Sequence, residues 1–319
     1  MLSILFATRN GAPTLPRVLS AYEALQAPKG GWKVIIVNNN SDDETAAILD
    51  SYKNRLPLTV IDQPKPGKNR ALNLGLTAAE GDLVVLTDDD AVPEADWLQR
   101  WRQVADSTAE ADLFGGRVLP LWPEPPPDWI LNAVPLQATY AISRDTLADG
   151  PVISSQIFGP NMAVRRTVFD AGHRFDEAVG PAPGQYRMGS ETEFTRRLTQ
   201  AGYKPWFSNA PRVGHIIRPW QMDRDWIIKR SARLGRGVCY RDSGQDPAKT
   251  PLLFGVPRWR LRGLLEEMGK WATSTLRADR TAAFAARLEI AFLMGYFAEV
   301  RAMQKQAAAP TPAPAKPKM

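Results

Sequence analysis

Gly81-Asp82-Leu83-Val84-Val85-Leu86-Thr87-Asp88-Asp89-Asp90-Ala91-Val92-Pro93 is a short apolar run that ends in three adjacent carboxylates. Leu83–Leu86 has the length and β-branched content of a strand buried on both faces. Pro93 and a helix-like segment over 94–106 predict that this strand stops just past the acids. Three adjacent carboxylates repel one another and are costly to desolvate without an offsetting charge. At the carboxyl end of a buried strand, where α/β proteins bind ligands, a divalent cation supplies that offset. Oxygen-only ligands favour a hard ion, Mg²⁺ or Mn²⁺. Taken by itself, the triplet also reads as a solvated acidic turn.

Upstream, strands and helices alternate. Residues 2–7 read as a strand. The turn Thr8-Arg9-Asn10-Gly11-Ala12-Pro13 leads into a helix over 14–26. Lys33-Val34-Ile35-Ile36-Val37 is a second buried strand, ending in Asn38-Asn39-Asn40-Ser41-Asp42-Asp43. Ser41 or Asp42 is positioned to cap a helix over 44–52. Leu58-Thr59-Val60-Ile61 is a third strand, and a Pro/Gly/Lys loop over 63–68 feeds a helix over 69–79. Such alternation without hairpin signals predicts βαβ units and a parallel sheet. The polar loops follow the strands, so they gather on one edge of that sheet.

Downstream the pattern changes. Residues 120–129 are proline-rich, with Trp122 and Trp129 flanking Pro123, Pro125, Pro126 and Pro127; such a run is stiff and extended. It reads either as a connector or as one wall of a binding site. Residues 154–164 return to the sheet. A helix follows, opened by Ser190 with Glu193 at the capping-box position. Another helix over 225–240 carries Arg230, Arg233 and Arg236 on one face; a solvated face is the simpler reading, an anion contact the other. Leu261, Leu264, Leu265, Met268 and Trp271, and then Ile290, Leu293, Met294, Phe297 and Val300, recur at helical spacing. This helical pair packs on the preceding domain or on a second copy. Alternatively, with Arg258, Arg260 and Arg262 beside Trp259, it forms an interfacial amphipathic surface. Residues 307–319 form an Ala/Pro/Lys tail expected to be disordered.

The 319 residues can bury a large core, and 44% hydrophobic with 23% charged content is ordinary for a globular chain. No apolar run approaches a membrane span; the longest, 290–298, is short and interrupted by Gly295. The chain starts directly on a strand-like segment without a basic lead, and it has one cysteine, Cys239. That excludes an intramolecular disulfide and a cysteine-based zinc site. A cytoplasmic protein is the expectation, with attachment to the inner face of the membrane as its variant. The net charge is +6. Arg301, Lys305, Lys316 and Lys318 follow the last acid, Glu299, and without them the charge is +2. The basic balance is therefore weak support for nucleic acid, and the arginines lack an aromatic-interleaved pattern. A cationic C-terminal stretch fits an anionic membrane surface instead.

Several blocks occur in order: Ile4-Leu5-Phe6-Ala7-Thr8-Arg9-Asn10, Val34 to Thr45, Gly67-Lys68-Asn69-Arg70 to Leu76, Thr87-Asp88-Asp89-Asp90, Gly159-Pro160-Asn161-Met162-Ala163, Phe175-Asp176-Glu177, Gly189-Ser190-Glu191-Thr192-Glu193-Phe194, and His215. Together they resemble the inverting family 2 glycosyltransferases. The resemblance covers about residues 2–237. It implies an α/β, GT-A (nucleotide-diphospho-sugar transferase) fold, with a mostly parallel central sheet flanked by helices and an α-helical C-terminal extension. The implied organisation is a catalytic domain over 1–240, its nucleotide-sugar half 1–115 and its acceptor half 116–240. An extension over 241–306 and the tail over 307–319 follow.

By the same resemblance, Ala7, Thr8, Arg9, Asn10, Asn38 and Asn39 lie where the family reads the nucleotide base. Asn38 replaces the aspartate the family often has, and turn chemistry is the other reading of the asparagines. Lys68 and Arg70 approach the nucleotide diphosphate. Asp88 and Asp89 belong with ribose and donor, and Asp88, Asp90 and His215 with Mg²⁺ or Mn²⁺. The strand-like alternation predicts that Asp88 and Asp90 project together. Glu191 stands at the position of the general base, with Glu193 as the alternative. The implied activity is metal-dependent, inverting transfer of a sugar from a nucleotide diphosphate, UDP by expectation, to a hydroxyl of a glycan, glycolipid or polysaccharide precursor. A sugar-nucleotide nucleotidyltransferase is a rival, although Thr8 to Pro13 lacks its Gly-rich basic loop. A non-catalytic nucleotide-sugar scaffold is a second, kept open by Ser190-Glu191 where the family has Glu-Asp.

Overall fold

The computed structural model describes residues 1–181, 186–243 and 251–308. The chain forms two compact units, Met1–Ile227 and Ile228–Met319. In the first, β1 (Leu2–Thr8), α1 (Leu15–Glu23), β2 (Trp32–Asn38), α2 (Thr45–Tyr52), β3 (Leu58–Asp62), α3 (Lys68–Gly75) and β4 (Leu83–Leu86) alternate as expected. Then come β5 (Ala91–Pro93), α4 (Trp97–Ser107), β6 (Leu113–Leu121), α5 (Asp128–Ala133), α6 (Leu136–Tyr140), β7 (Gly150–Pro151), β8 (Met162–Arg165), α7 (Arg166–Asp170), α8 (Ser190–Gln200) and β9 (Pro205–Ile216).

The sheet has the order β3-β2-β1-β4-β8-β6-β9-β5, with β7 added on β9. The four strands β3, β2, β1 and β4 are parallel. Their carboxyl ends, and the loops carrying Thr8, Asn38 and the acid triplet, therefore share one edge. Beyond β4 the sheet is mixed: β8 runs antiparallel to both β4 and β6. Leu83, Val84, Val85 and Leu86 are all buried. Leu83 and Val85 join a cluster with Tyr22, Trp97 and Trp101, and Val84 and Leu86 join one with Leu72, Phe194 and Leu198. Both faces of β4 are thus covered by helices, and each such side chain contributes roughly 1.5–3 kcal/mol by leaving water.

Four local expectations need correction. Pro93 does not merely end a strand. Ala91–Pro93 is itself β5, paired antiparallel with β9, Ala91 opposite His215 and Pro93 opposite Val213. β5 is the last strand of the sheet, and proline is tolerated on an edge because no neighbour requires its missing N–H. At α2 the bonds at the helix start come from Asp43 rather than Ser41 or Asp42: its Oδ1 accepts from Thr45 N at 3.0 Å and Thr45 Oγ1 at 2.5 Å. At α8 no capping box forms. The cap residue is Gly189 at φ 105°, and Ser190 lies buried inside the first turn. The long apolar segment near the C-terminus is not interrupted at Gly295, as described next.

In the second unit, β10 (Leu252–Leu253) and β11 (Val256–Pro257) form a short hairpin before α10 (Arg258–Leu276) and α11 (Arg280–Ala308). One helix, α9 (Arg224–Asp242), starts before the division at 227/228. That division falls earlier than the boundary expected at 240, because the later turns of α9 pack with α11. A Cβ on Gly235 would lie 1.9 Å from Phe292 O, and one on Gly295 would lie 1.9 Å from Ala232 O. The two glycines let the helix backbones touch. Arg236 does not form a solvated face: its Nε lies 2.9 Å from Oε2 of Glu299, which is fully buried. Cys239 packs in the same core with Leu293, Tyr296 and Val300. The helix through Gly295 is long and apolar enough to cross a membrane by length and composition alone, with a mean hydropathy of 1.3. From residue 309 onward, the tail expected to be disordered lies outside the described residues.

Candidate active site

The triplet follows β4 directly, but it does not continue as a strand. Ala91 N donates to Asp88 O at 3.2 Å, so the chain turns. Asp88 and Asp90 are consequently sent to different partners, contrary to the expected common projection. Asp88 Oδ1 lies 2.6 Å from Lys68 Nζ, at the start of α3. The same ammonium lies 3.1 Å from Glu191 Oε1, at the start of α8. Asp89 Oδ2 accepts from Thr8 Oγ1 at 2.5 Å. Asp90 uses both oxygens: Oδ1 faces His215 Nε2 at 3.2 Å, and Oδ2 accepts from Arg218 Nη1 at 2.9 Å. The β5–β9 pairing brings His215 to Asp90.

Burial and like charge raise Asp88 and Asp89, whereas neighbouring cations lower Asp90. Burial raises Asp88, and Asp90 and Glu191 raise it further, against the opposing pull of Lys68. Asp89 is pushed up to about 7, first by burial and then by the Asp90 charge. Asp90 is also buried, but His215 and Arg218 outweigh that and hold it well below the carboxylate range. For His215, burial favours the neutral ring, yet the Asp90 carboxylate prevails and raises it. Lys68 is likewise raised well above its ordinary value, its burial outweighed by Asp88 and Glu191. His215 Nδ1 lies 2.7 Å from Tyr140 O. That carbonyl accepts only, so Nδ1 carries a proton and Nε2 is the nitrogen turned to Asp90.

This donor set fits a divalent cation in part. Among the described residues no group of three His, Cys, Asp or Glu converges on one point. Asp90 and His215 supply a carboxylate oxygen and an imidazole nitrogen side by side, and a hard ion there needs further oxygens from a ligand.

The other expected residues divide into those near the triplet and those engaged elsewhere. Arg9 is exposed, and Ala7 is partly so. Asn10 is held at φ 54° by exchange with Asp42: its Nδ2 donates to Asp42 Oδ1 at 2.7 Å and its Oδ1 accepts from Asp42 N at 3.0 Å. Asn39 is consumed by the 63–67 loop, donating to Gln63 O and Lys65 O and accepting from Gly67 N. Asn38 Nδ2 donates to Asp62 Oδ1 at 2.9 Å, and its buried Oδ1 has no hydrogen-bond partner. Arg70 Nε lies 2.8 Å from Glu177 Oε2. Glu193 pairs with Arg197 at 2.9 Å.

Two blocks that look chemical are structural supports here. Asn69 Nδ2 and Asn73 Nδ2 donate to the backbone oxygens of Asp176 and Phe175, tying α3 to the 175–177 segment. Asn161 Oδ1 accepts from Trp97 Nε1 at 2.9 Å, and its Nδ2 donates to Arg117 O and Pro211 O at 2.9 Å each. Sequence reasoning missed Arg218 as the second partner of Asp90, Asp62 as the partner of Asn38, and the aromatic group beside His215. The last comprises Trp122 edge-on to Tyr140 at 5.2 Å, Trp226 stacked on Tyr140 at 6.0 Å, and Trp220 against Trp226 at 5.7 Å. The clustering of tryptophans around residues 122, 220 and 226 was its only signal.

The sequence profile of Glycosyl transferase family 2 matches residues 3–171, more than half of the chain. The chain belongs to that family. It is 25% identical over 281 residues to glycosyltransferase AglE of Haloferax volcanii, covering 86% of this chain and 85% of the relative. It is 31% identical over 218 residues to the probable glycosyltransferase YdaM of Bacillus subtilis, covering 63% of this chain but 47% of that one. Two solved structures share the fold. One is residues 1–349 of S. aureus TarS in complex with UDP, with a TM-score of 0.51 and 15% identity over 96% of this chain and 91% of that one. The other is the mannosyltransferase PcManGT from Pyrobaculum calidifontis in complex with GDP-Man and Mn²⁺, with a TM-score of 0.55 and 16% identity over 98% of this chain and 76% of that one. The family 2 chain is a glycosyltransferase of GT-A type, with a mixed α/β sheet and helices after it.

Proposed function

We propose that this transferase moves a glycosyl group from a nucleoside-diphosphate sugar to an acceptor hydroxyl in one inverting displacement. The observation that carries the reading is the convergence on one sheet edge of an Asp90–His215 pair and an Asp88–Lys68–Glu191 cluster, in which Lys68 lies between the two carboxylates. A base on the face of the sugar opposite the leaving group must take the hydroxyl proton as the C–O bond forms. Glu191, at the start of α8 beside Lys68, is given this role, and Glu193, paired with Arg197 along the same helix, is the alternative. The UDP of TarS and the GDP-Man of PcManGT support a nucleoside diphosphate as the leaving group. UDP is the form expected of this chain.

Asp90 and His215 would hold a divalent cation, and the Mn²⁺ of PcManGT supports that choice. When bound, the ion neutralises charge on the departing diphosphate. The imidazole ligand favours Mn²⁺ over Mg²⁺. Lys68 supplies a fixed positive charge to the same region, and Asn38 and Thr8 lie on the base and ribose side. On the acceptor side, the ring face of half-exposed Trp220 next to Arg218 suits a sugar of a glycan or glycolipid. The family assignment favours this reading over a nucleotidyltransferase or a scaffold.

The test is a panel of UDP- and GDP-sugars with Mn²⁺ and saccharide or lipid-linked acceptors, run on the native protein and on Asp90→Ala and Glu191→Gln. Product of inverted anomeric configuration, lost in both variants, is the expected result. Unchanged transfer in either variant refutes the role given to that residue.

A further inference from the structure

Formal charge is unevenly distributed along this chain. Residues 251–319 carry eleven Lys and Arg against five Asp and Glu, so they hold the entire net charge of +6. Within that stretch, α10 presents an apolar stripe to solvent. Leu265, Met268, Ala272 and Leu276 recur at spacings of three and four, which places them on one side of the helix; Leu261, one turn earlier, is partly buried against the core around Cys239. Leu265 is 70% exposed and Leu276 87% exposed. Arg258 and Arg262 stand seven and three residues before Leu265, hence on the same side; Arg262 also pairs with the exposed Glu266 at 2.7 Å. The opposite side of α10 is fastened inward. Arg260 is buried, its guanidinium 4.0 Å from the Tyr296 ring centre and 4.3 Å from that of Trp259, and its Nη2 lies 3.2 Å from Asp242 Oδ2. The exposed stripe is therefore a fixed feature of a packed helix.

The hairpin immediately before α10 adds to it. Leu252, Leu253 and Phe254 are exposed at its turn, Phe254 by 86%. Phe254 sits at φ 53°, a conformation that side chains with a Cβ adopt at a cost. A strained turn that displays a phenylalanine to water has no packing rationale within its own unit. Trp259, also exposed, follows it.

We propose that the outer side of α10 and the hairpin tip form a docking surface for an anionic lipid bilayer. The rings and aliphatic side chains would enter the headgroup boundary, and Arg258 and Arg262 would meet lipid phosphates. Charge argues against a second copy as the occupant. Parallel pairing of two α10 stripes sets Arg258 and Arg262 against themselves, and antiparallel pairing sets them near Arg277 and Arg280, with Asp279 the one acid between these two. This inference does not depend on the transferase reading.

The test is co-sedimentation of the full chain with vesicles of phosphatidylcholine alone and of phosphatidylcholine with 30%, by design about a third, phosphatidylglycerol, at low and high salt. The expected result is binding at least about tenfold stronger to the anionic vesicles, weakened by salt. Leu265→Glu/Leu276→Glu and Arg258→Glu/Arg262→Glu should each reduce it at least about tenfold, as apolar and ionic anchoring both contribute. Circular dichroism reports folding, and the single variant Leu276→Glu, at an almost fully exposed site, repeats the test should a double variant misfold. Equal binding by native and variant protein, or no binding by native protein, overturns the proposal. So does a dimer in light scattering that Leu276→Glu dissolves, which assigns the stripe to self-association. Transfer to a soluble acceptor should be unchanged in these variants, so failure here is distinguishable from failure of the transferase reading.

Discussion

Gly159 and Glu191 are in such close approach that a Cβ at position 159 would lie 2.4 Å from Glu191 Oε1 and 2.6 Å from its Cγ. Glycine there is a clearance for the candidate base. Gly159→Ala should push the carboxylate off its position without touching any charge. A displacement of about 1 Å costs on the order of 10–100-fold in rate. Steady-state kinetics should therefore show kcat falling by that factor, with little change in donor KM.

Asp90→Asn and His215→Gln remove the two groups suited to a cation while leaving Lys68, Asp88 and Glu191 in place. Both variants should need much more Mn²⁺ for half-maximal transfer. Chelator treatment of native protein should abolish activity, and Mn²⁺ should restore it. A native enzyme that keeps full activity in excess chelator would remove the metal from the reading.

Lys68→Met leaves Asp88 and Glu191 facing one another without the shared ammonium. Breaking a largely buried pair in this way costs about 3–5 kcal/mol, and the 20% exposure of these side chains places the expected loss at the lower end. Thermal unfolding should report a clear drop in Tm. Nucleotide binding should weaken as well, because a positive charge beside the diphosphate is lost.

Asp149 offers a pH test far from the triplet. Its partial burial would raise it, but hydrogen bonds from Ser208 and Asn209 prevail and lower it. A lowered carboxyl stabilises the fold above its unfolded value and loses that contribution as pH falls through the folded value. Asp149→Asn should therefore lower Tm at pH 7 and have less effect at pH 3. The difference is about 1 kcal/mol or less for a carboxylate this exposed.

In the second unit, Gly295→Val would drive side-chain carbons into the backbone of Ala232. Overpacking of this kind costs about 1–3 kcal/mol or more. A lower Tm or loss of soluble protein is expected, whereas Ala298→Val on the exposed side of the same helix should change little.

The first half of the fold was legible because its signals are local: buried strands read as apolar runs, and polar loops follow them. The last strand was not. Ala91–Pro93 is three residues long and carries a proline, so nothing in its own sequence distinguishes it from a strand stop; its partner lies more than a hundred residues away. That pairing also decides the site. Regular alternation sends Asp88 and Asp90 the same way, but a turn after β4 sends one to Lys68 and the other to His215 and Arg218. The asparagines were ambiguous for a different reason. Asn39 and Asn161 use their amides on backbone groups, which only tertiary proximity reveals, whereas Asn38 retains an unsatisfied oxygen.

The three-residue pairing of β5 with β9 acts as a clasp. It lies at the end of the sheet and, among the described residues, is extended by the bonds from Ile216 N to Asp90 O and from Glu94 N to Arg212 O. Ala91 and Val213 of this pairing are buried in the same cluster as Phe6, Leu83 and Val85. Separating Asp90 from His215 therefore means opening the core that β1 and β4 share, since well-buried elements open only near the global unfolding free energy. The enzyme's thermal inactivation should coincide with its unfolding, and whatever stabilises the core also protects the pairing at the site.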